Sequence, residues 1–325
     1  MLTESCPSRC TYCYIKDRDG NSEMTMDTVD RIIAEHNPYR VIFFGGEPML
    51  KPRLMEEILQ KYHGSRKFQI VTSGLVNMDY LKYFQRRYPL DEIQVSWDGD
   101  GVHSRPLGDL ALRNILDLSR TSSLDIKCVL NDANIKDMAV IHRRFTDLQK
   151  EGINGEFVIA HRPDTSEDFV REFRRQLPNC LEVEGKTYQE FLTKIQAVIN
   201  RDEGFCSCDA GQYLVFRPNG EKHHCTILSQ HKYFSVEELT QPCTHPDCRQ
   251  CDIRFLCDGG CRYERYAVFG DDWQGMYLPQ TCSLNRAYHE VITEWLHNLS
   301  PAYRHKLNGT LLRYRHFKNQ YMGVN

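Results

Sequence analysis

The run Cys6-Pro7-Ser8-Arg9-Cys10-Thr11-Tyr12-Cys13-Tyr14 constrains this chain more than any other stretch. Three thiols that close together cannot all enter an apolar core. They suit a loop folded around one soft-metal centre. Four thiolates would saturate a four-iron cubane, and this loop offers three, which leaves one iron open to a small molecule. Two other readings stand beside this one. A cysteine-rich chain produces such spacings by chance. A zinc knuckle uses similar ones, although structural zinc wants four ligands and no His or Cys completes the set nearby.

The compartment follows from the rest of the composition. The chain has 325 residues and 14 cysteines, with 41% hydrophobic and 26% charged residues. A chain of that length and make-up buries a real core as one large or two medium domains. The longest apolar runs are far too short to span a bilayer, so no membrane partner is expected. Met1-Leu2-Thr3-Glu4 leads straight into the cysteine loop and leaves no room for a signal peptide. Reduced thiolates holding metal in the cytoplasm therefore fit better than a disulfide framework. A formal net charge of -3 advertises no nucleic-acid partner in the total.

After the loop, strand-like and helix-like segments alternate. Strands are expected at residues 1–4, 40–44, 68–72, 92–96, 124–130 and 155–160. Helices are expected at 27–34, capped by Thr25 or Asp27, and at 52–62, 78–87, 109–119 and 136–150. Such alternation implies right-handed βαβ units and a parallel sheet. Helical stretches at 167–176 and 188–201 lead away from it.

The second half holds most of the sulfur. Cys206 and Cys208 come first, then Gly220-Glu221-Lys222-His223-His224-Cys225, then Cys243. The run Cys248-x2-Cys251-x5-Cys257-x3-Cys261 follows, and Cys282 closes the series. A pair of zinc ribbons is the plain alternative for these C-x2-C knuckles.

Cys6-x3-Cys10-x-Tyr12-Cys13 resembles the C-x3-C-x-aromatic-C motif of the radical S-adenosylmethionine (SAM) enzymes. Gly45-Gly46-Glu47-Pro48, after the apolar run 41–44, is similar to that family's GGEP motif at the end of its second strand. Ser96-Trp97-Asp98-Gly99 is similar to the S-x-D-G ending of its fourth. The later cysteines resemble the SPASM extension of the family. The resemblance implies an α/β fold, a partial (β/α)6 parallel barrel followed by a small cysteine-rich SPASM domain and a C-terminal helical tail. The corresponding divisions are 1–180 for the barrel, 181–204 for a helical bridge, 205–285 for the SPASM domain and 286–325 for the tail.

The resemblance also implies cofactors. Cys6, Cys10 and Cys13 would hold a SAM-binding [4Fe-4S] cluster. Tyr12 would lie near the adenine, and Gly45, Gly46, Glu47 and Pro48 would hold the methionine end. Ser73, Ser96 and Asp98 are candidates for the ribose and carboxylate. Two auxiliary [4Fe-4S] clusters are implied, one on Cys248, Cys251, Cys257 and Cys282, the other on Cys225 and Cys261 with Cys206, Cys208 or both. Cys243 matches no family position, and Cys128 and Cys180 read as buried or loop thiols. His223 and His224 read as an exposed turn beside Gly220 rather than as a ligand or proton relay.

The family's chemistry is reductive cleavage of SAM to a 5′-deoxyadenosyl radical that takes hydrogen from an unactivated carbon. An electron donor such as flavodoxin or ferredoxin is implied. SPASM members commonly modify peptides or proteins, which makes a peptide or protein the first expected substrate. Two departures are visible: no leader-binding segment precedes the loop, and Thr226 stands where sulfatase-maturing relatives carry an Asp. The tail sets up a second expectation. Residues 301–325 hold Arg304, Lys306, Arg313, Arg315 and Lys318, no acid, and the aromatics Tyr303, Tyr314, Phe317 and Tyr321. Basic residues interleaved with aromatics suit a nucleic acid, and so a nucleobase substrate, although a solvated, partly helical tail is the plainer reading. A metal-binding module without turnover is the expectation of a different class.

Overall fold

The repeating βα pattern folds into one parallel sheet. A computed structural model of the chain describes residues 1–15, 22–76, 78–119, 124–160, 165–181, 189–201, 213–257 and 259–322. Within them the chain forms two units. The first comprises Met1–Asn134, Arg143–Val158 and Tyr213–Ser235; the second comprises Ile135–His142, Ile159–Gln212 and Val236–Asn325.

In the first unit, β1 (Arg40–Phe43), β2 (Lys67–Thr72), β3 (Glu92–Ser96), β4 (Leu124–Leu130) and β5 (Ile153–Ile159) lie side by side in chain order. Helices α1 (Met26–His36), α2 (Pro52–Tyr62), α3 (Met78–Arg87), α4 (Gly108–Ser119) and, from Arg143 on, α5 (Met138–Gln149) fall before and between them. The register fixes two faces. Thr72 pairs with Val95, and Ser96 with Lys127. Alternate side chains point to opposite faces, so Phe43, Phe68, Ile70, Ile93, Val95, Leu124, Ile126, Cys128 and Phe157 are buried together. Phe145 of α5 packs 5.2 Å from Phe157 and 6.0 Å from Trp97. The other face is polar: Gln69 donates to Glu92 at 2.7 Å, Lys127 meets Glu156 at 2.7 Å, and Asn154 donates to Asp125 at 2.9 Å. Helix α1 starts at Thr25, whose hydroxyl accepts from Thr28 N. Pro52 opens α2 without losing a hydrogen bond, because the first turn has no acceptor for its nitrogen.

The expected first strand is a correction. Residues 1–4 are not one of the five strands; Thr3 makes a single antiparallel bridge to Glu23. Instead the segment runs beside the glycines after β1. Gly46 N donates to Thr3 O at 2.9 Å and Glu47 N to Ser5 O at 2.8 Å. Both bonds are to the loop after β1, so the segment is no strand of the sheet. A short hairpin of β6 (Val215–Phe216) and β7 (Lys222–His223) completes this unit. It is tied to the N-terminal segment by Arg217, 3.0 Å from Glu4, and by Gln230, 2.9 Å from the same carboxylate.

The second unit is helical: α6 (Glu167–Gln176), α7 (Gln189–Asn200), α8 (Val236–Thr240), α9 (Pro246–Arg249), α10 (Arg254–Cys257), α11 (Arg262–Phe269), α12 (Pro279–Asn298) and α13 (Pro301–Met322). Tyr288 of α12 is its hub, 4.7 Å edge-on from Phe173 and 6.4 Å from Phe191. Helix α12 begins at Pro279, so Cys282 sits in its first turn. The tail is one helix through Met322 rather than partly helical, and it buries Leu307 and Leu311. Among the described residues no helix is long and apolar enough to cross a membrane.

Candidate cofactor and metal site

The three-cysteine loop lies at the C-terminal ends of the strands because its neighbours hold it there. Thr11 N donates to Ser104 O at 3.0 Å, in the loop after β3. Tyr12 donates its hydroxyl to Oδ2 of Asp98. Arg105 closes the group, with Nε 3.0 Å from the Tyr12 oxygen and 3.1 Å from Asp98 Oδ2, and its guanidinium over the Tyr12 ring at 5.6 Å. The other Asp98 oxygen accepts from Val129 N at 2.9 Å. Asp98 is 1% exposed. Burial works against the Arg105 charge, yet Asp98 and Tyr12 outweigh it and hold the guanidinium above its usual pKa. Burial, with Asp98 adding to it, pushes the Tyr12 phenol well above its ordinary range and keeps it a hydrogen-bond donor. Arg105 was not foreseen from the sequence, and the S-x-D-G ending seven residues earlier was the one clue near it.

The three sulfurs gather on this braced loop. Cys10 is buried, with its sulfur 3.2 Å from the Ser8 hydroxyl, and Cys13 N donates to Cys10 O at 3.3 Å. Burial, with Glu47, Cys10 and Cys13 close by, pushes the Cys6 thiol up to about 11. Metal coordination is what would ionise such thiols.

Glu47 is a buried node. Oε1 accepts from Met49 N at 3.1 Å and Thr72 Oγ1 at 2.9 Å; Oε2 accepts from Ser73 N at 2.8 Å and Ser73 Oγ at 2.6 Å. Burial raises its pKa and the four donors oppose that. The motif thus joins the end of β1 to the end of β2. Pro48 begins a 3-10 turn capped by Glu47, with Pro48 and Met49 buried. A Cβ at Gly45 would sit 2.6 Å from Thr3 O, and one at Gly46 2.1 Å from Ser5 O. Both glycines are required for the N-terminal segment to pass. Ser96 lies half-buried at the end of β3.

His223 is corrected: it is 2% exposed on β7, with Nε2 3.3 Å from Glu221, and burial lowers its pKa. Cys225 follows in the same unit. Both Cys225 and Cys13 lie close enough to the Tyr14 phenol to help raise its pKa, which burial raises most.

In the second unit Cys248, Cys251, Cys257 and Cys282 line one pocket, with Asp247, Arg254, Gly259, Tyr277 and Arg286. Three helical pieces deliver them: α9 carries Cys248, α10 ends on Cys257, and the first turn of α12 holds Cys282. Arg286 Nη2 lies 3.7 Å from Cys251 Sγ. Burial and the neighbouring sulfurs of Cys257 and Cys251 push Cys282 up to about 11. Buried Arg262 secures the segment by donating to the carbonyls of Leu239, Gly260 and Gln241 at 2.9 to 3.1 Å. Cys261 caps α11 in this unit, Cys225 belongs to the first unit, and Cys206 and Cys208 lie outside the described residues. Cys128 and Cys180 are fully buried, as thiols of the core.

None of the described cysteines is in a disulfide. Among the described residues no three His, Cys, Asp or Glu side chains close to the spacing of a single metal ion. An all-sulfur donor set is the chemistry of an iron–sulfur cluster, and both cysteine groups fit one.

A parallel α/β sheet with a three-thiol loop at the C-terminal ends of its strands has that loop at the end where parallel α/β enzymes place their active sites. Residues 1–102 match the Radical SAM superfamily model, so the chain carries a radical SAM domain there. Over 335 aligned positions the chain is 23% identical to the PqqA peptide cyclase of Granulibacter bethesdensis, covering 89% of this chain and 87% of that one. A shorter likeness, 29% over 77 residues, is to the neomycin C epimerase of Streptomyces fradiae, covering 23% of this chain and 26% of that one. Among solved structures, Streptococcus suis SuiB bound to S-adenosylmethionine matches the fold with a TM-score of 0.60 at 11% identity, over 86% of this chain and 75% of that one. SuiB bound to its precursor peptide SuiA matches with a TM-score of 0.53 at 13% identity, over 86% and 74%.

Proposed function

We propose that this chain is a radical SAM enzyme that modifies a peptide or protein. The observation that carries the proposal is the braced three-thiol loop within the radical SAM domain, where Cys6, Cys10 and Cys13 would hold a [4Fe-4S] cluster. Such a cluster, held by these three cysteines, would supply the electron for reductive cleavage of SAM and so for hydrogen abstraction from the substrate. The protein's own part is positioning and exclusion of water. Tyr12, Asp98 and Arg105 fix the loop against β3 and β4. Glu47 sets the ends of β1 and β2 relative to each other and orients the Ser73 hydroxyl. Ser96, at the end of the next strand, is the neighbouring hydroxyl proposed for the ribose.

The peptide is preferred to a nucleobase because the long alignment is with a peptide cyclase. The shorter likeness to an epimerase of an antibiotic spans too little of either chain to direct the choice. Cys248, Cys251, Cys257 and Cys282 are proposed as the ligands of an auxiliary cluster in the second unit, serving electron transfer. A cytoplasmic location and a flavodoxin or ferredoxin as electron donor belong to the same proposal.

The test is an anaerobic incubation of the reconstituted protein with dithionite and SAM, read for 5′-deoxyadenosine. Formation is expected, and a metal-binding module without turnover would give none. A candidate peptide incubated in D2O buffer, then examined by mass spectrometry, separates a peptide substrate from a nucleobase.

A further inference from the structure

We propose that Arg286 is a positioning residue of the cysteine centre in the second unit, whose guanidinium donates a hydrogen bond to the Cys251 sulfur and so sets the reduction potential of the cluster held there. The inference rests on the reading of Cys248, Cys251, Cys257 and Cys282 as cluster ligands.

Arg286 lines the same pocket as those four cysteines. Its Nη2 lies 3.7 Å from Cys251 Sγ, a hydrogen-bond distance for an acceptor as large as sulfur, and its Nη1 lies 3.5 Å from Asp252 Oδ1. Chemistry fixes the direction of the first bond. A guanidinium has N–H donors and no acceptor, so the sulfur must accept. As a metal-bound thiolate the sulfur is a charged acceptor, and the bond is then stronger.

The helix puts the donor in place. Arg286 stands four residues after Cys282 in α12, one turn on and on the same face. The helix that delivers one ligand thus delivers a donor to another. Its neighbours Ala287 and Tyr288 are buried, so core packing sets where Arg286 points.

Asp252 gives the donor its importance. The Cys251 thiol reaches Asp252 Oδ1 at 3.8 Å. A thiolate ligand has no proton to give, and the same contact then sets two negative groups side by side. Arg286 touches both and offsets their repulsion. A hydrogen bond to a cluster thiolate stabilises the reduced, more negative state, so it raises the potential.

The experiment is an EPR-monitored redox titration of the reconstituted full chain, with iron content measured on the same samples. Wild type is compared with Arg286→Met and Arg286→Leu, which remove the donor, and with Arg286→Lys, which keeps a cationic one. The side chain is 50% exposed, so replacing it opens no hole in the core. Arg249→Met serves as control, since Arg249 is an exposed cation next to Cys248 in the chain that does not line the pocket. The expected result is unchanged iron throughout. One cluster's midpoint potential shifts downward in the methionine and leucine variants, stays nearer wild type in the lysine variant, and does not move in the control. Unchanged potentials in the methionine and leucine variants would overturn the proposal. An equal shift in Arg249→Met would assign the effect to surface charge in general and overturn it too. Loss of about four irons per chain from both the methionine and leucine variants would make Arg286 a residue that retains the cluster, not one that tunes it, with the same consequence. Wild-type protein with no more than about four irons per chain would instead sink the underlying reading of the second unit, and the inference with it.

Discussion

The Tyr12 hydroxyl donates to Oδ2 of Asp98, 86 positions further along the chain, and that bond ties the cysteine loop to the end of β3. The carboxylate also faces Arg105, so three side chains share one buried charge pair. Removing one partner of such a pair leaves the other uncompensated, at a cost of about 3–5 kcal/mol. Asp98→Ala is expected to lose about that much, and Tyr12→Phe, which removes the bond to Asp98 and the one accepted from Arg105, at least about 1.5–3 kcal/mol. Urea unfolding midpoints check the ranking.

Replacing Cys6, Cys10 and Cys13 together by alanine is expected to abolish 5′-deoxyadenosine formation. Wild type should carry about twelve irons per chain, four for each of three clusters, and the triple variant about four fewer. The three cysteines belong to the first unit and the pocket-lining set to the second, so losing one group should spare the other. Iron and zinc analysis of the same samples decides it: about four irons with stoichiometric zinc in wild type would favour zinc ribbons.

Gly46→Ala should be far worse than Gly64→Ala. The first Cβ would lie 2.1 Å from Ser5 O and 2.5 Å from Glu4 O, both backbone atoms that cannot swing aside, whereas nothing lies within 4 Å of the second. Overpacking of this kind costs about 1–3 kcal/mol or more. Comparative denaturation of the two variants is the check.

Glu92 sets a pH dependence. Burial, helped by Asp125, raises its pKa from 4.5 to about 7. Between those values the folded state holds a proton that the unfolded state has released. Stability from this group is therefore present below about pH 4.5 and is lost as pH rises through about 7. Glu92→Gln keeps an acceptor for Gln69 and cannot ionise. The variant should be more stable than wild type at pH 8, by on the order of 1 kcal/mol, and close to it at pH 5. Urea midpoints at the two pH values test the sign.

Duplex DNA should bind weakly, with little change across a salt series. The tail helix buries Leu307 and Leu311, and Arg304 donates to Leu296 O at 3.1 Å, so part of the tail is committed to the second unit. A nucleic-acid reader would show a log–log salt slope of about -0.9 for each phosphate contacted. A steep slope that vanishes when Arg304, Lys306 and Arg313 become alanine would move the substrate toward a nucleobase.

The sequence by itself determined the alternation of strands and helices, a cap at Thr25 or Asp27, which the fold resolved to Thr25, the order of the motifs and the radical SAM resemblance. Period-2 burial, capping and cysteine spacing are local, so a linear reading captures them. It also marked Glu47 and Asp98 as site residues. Only the tertiary structure decided what surrounds them. Gly45 and Gly46 are small because Thr3 to Ser5 passes beside them, and Glu47 has four donors from two loops. Residues 1–4 form no regular strand: Thr3 O meets Gly46 N, in the loop beyond β1, rather than a strand residue. Arg105 matched no motif, since it acts through partners brought near by folding, Tyr12 and Asp98. Motif spacing is set along the chain, whereas the charge and hydrogen-bond environment of a thiol or carboxylate is set across it, and that part had to be read from the fold.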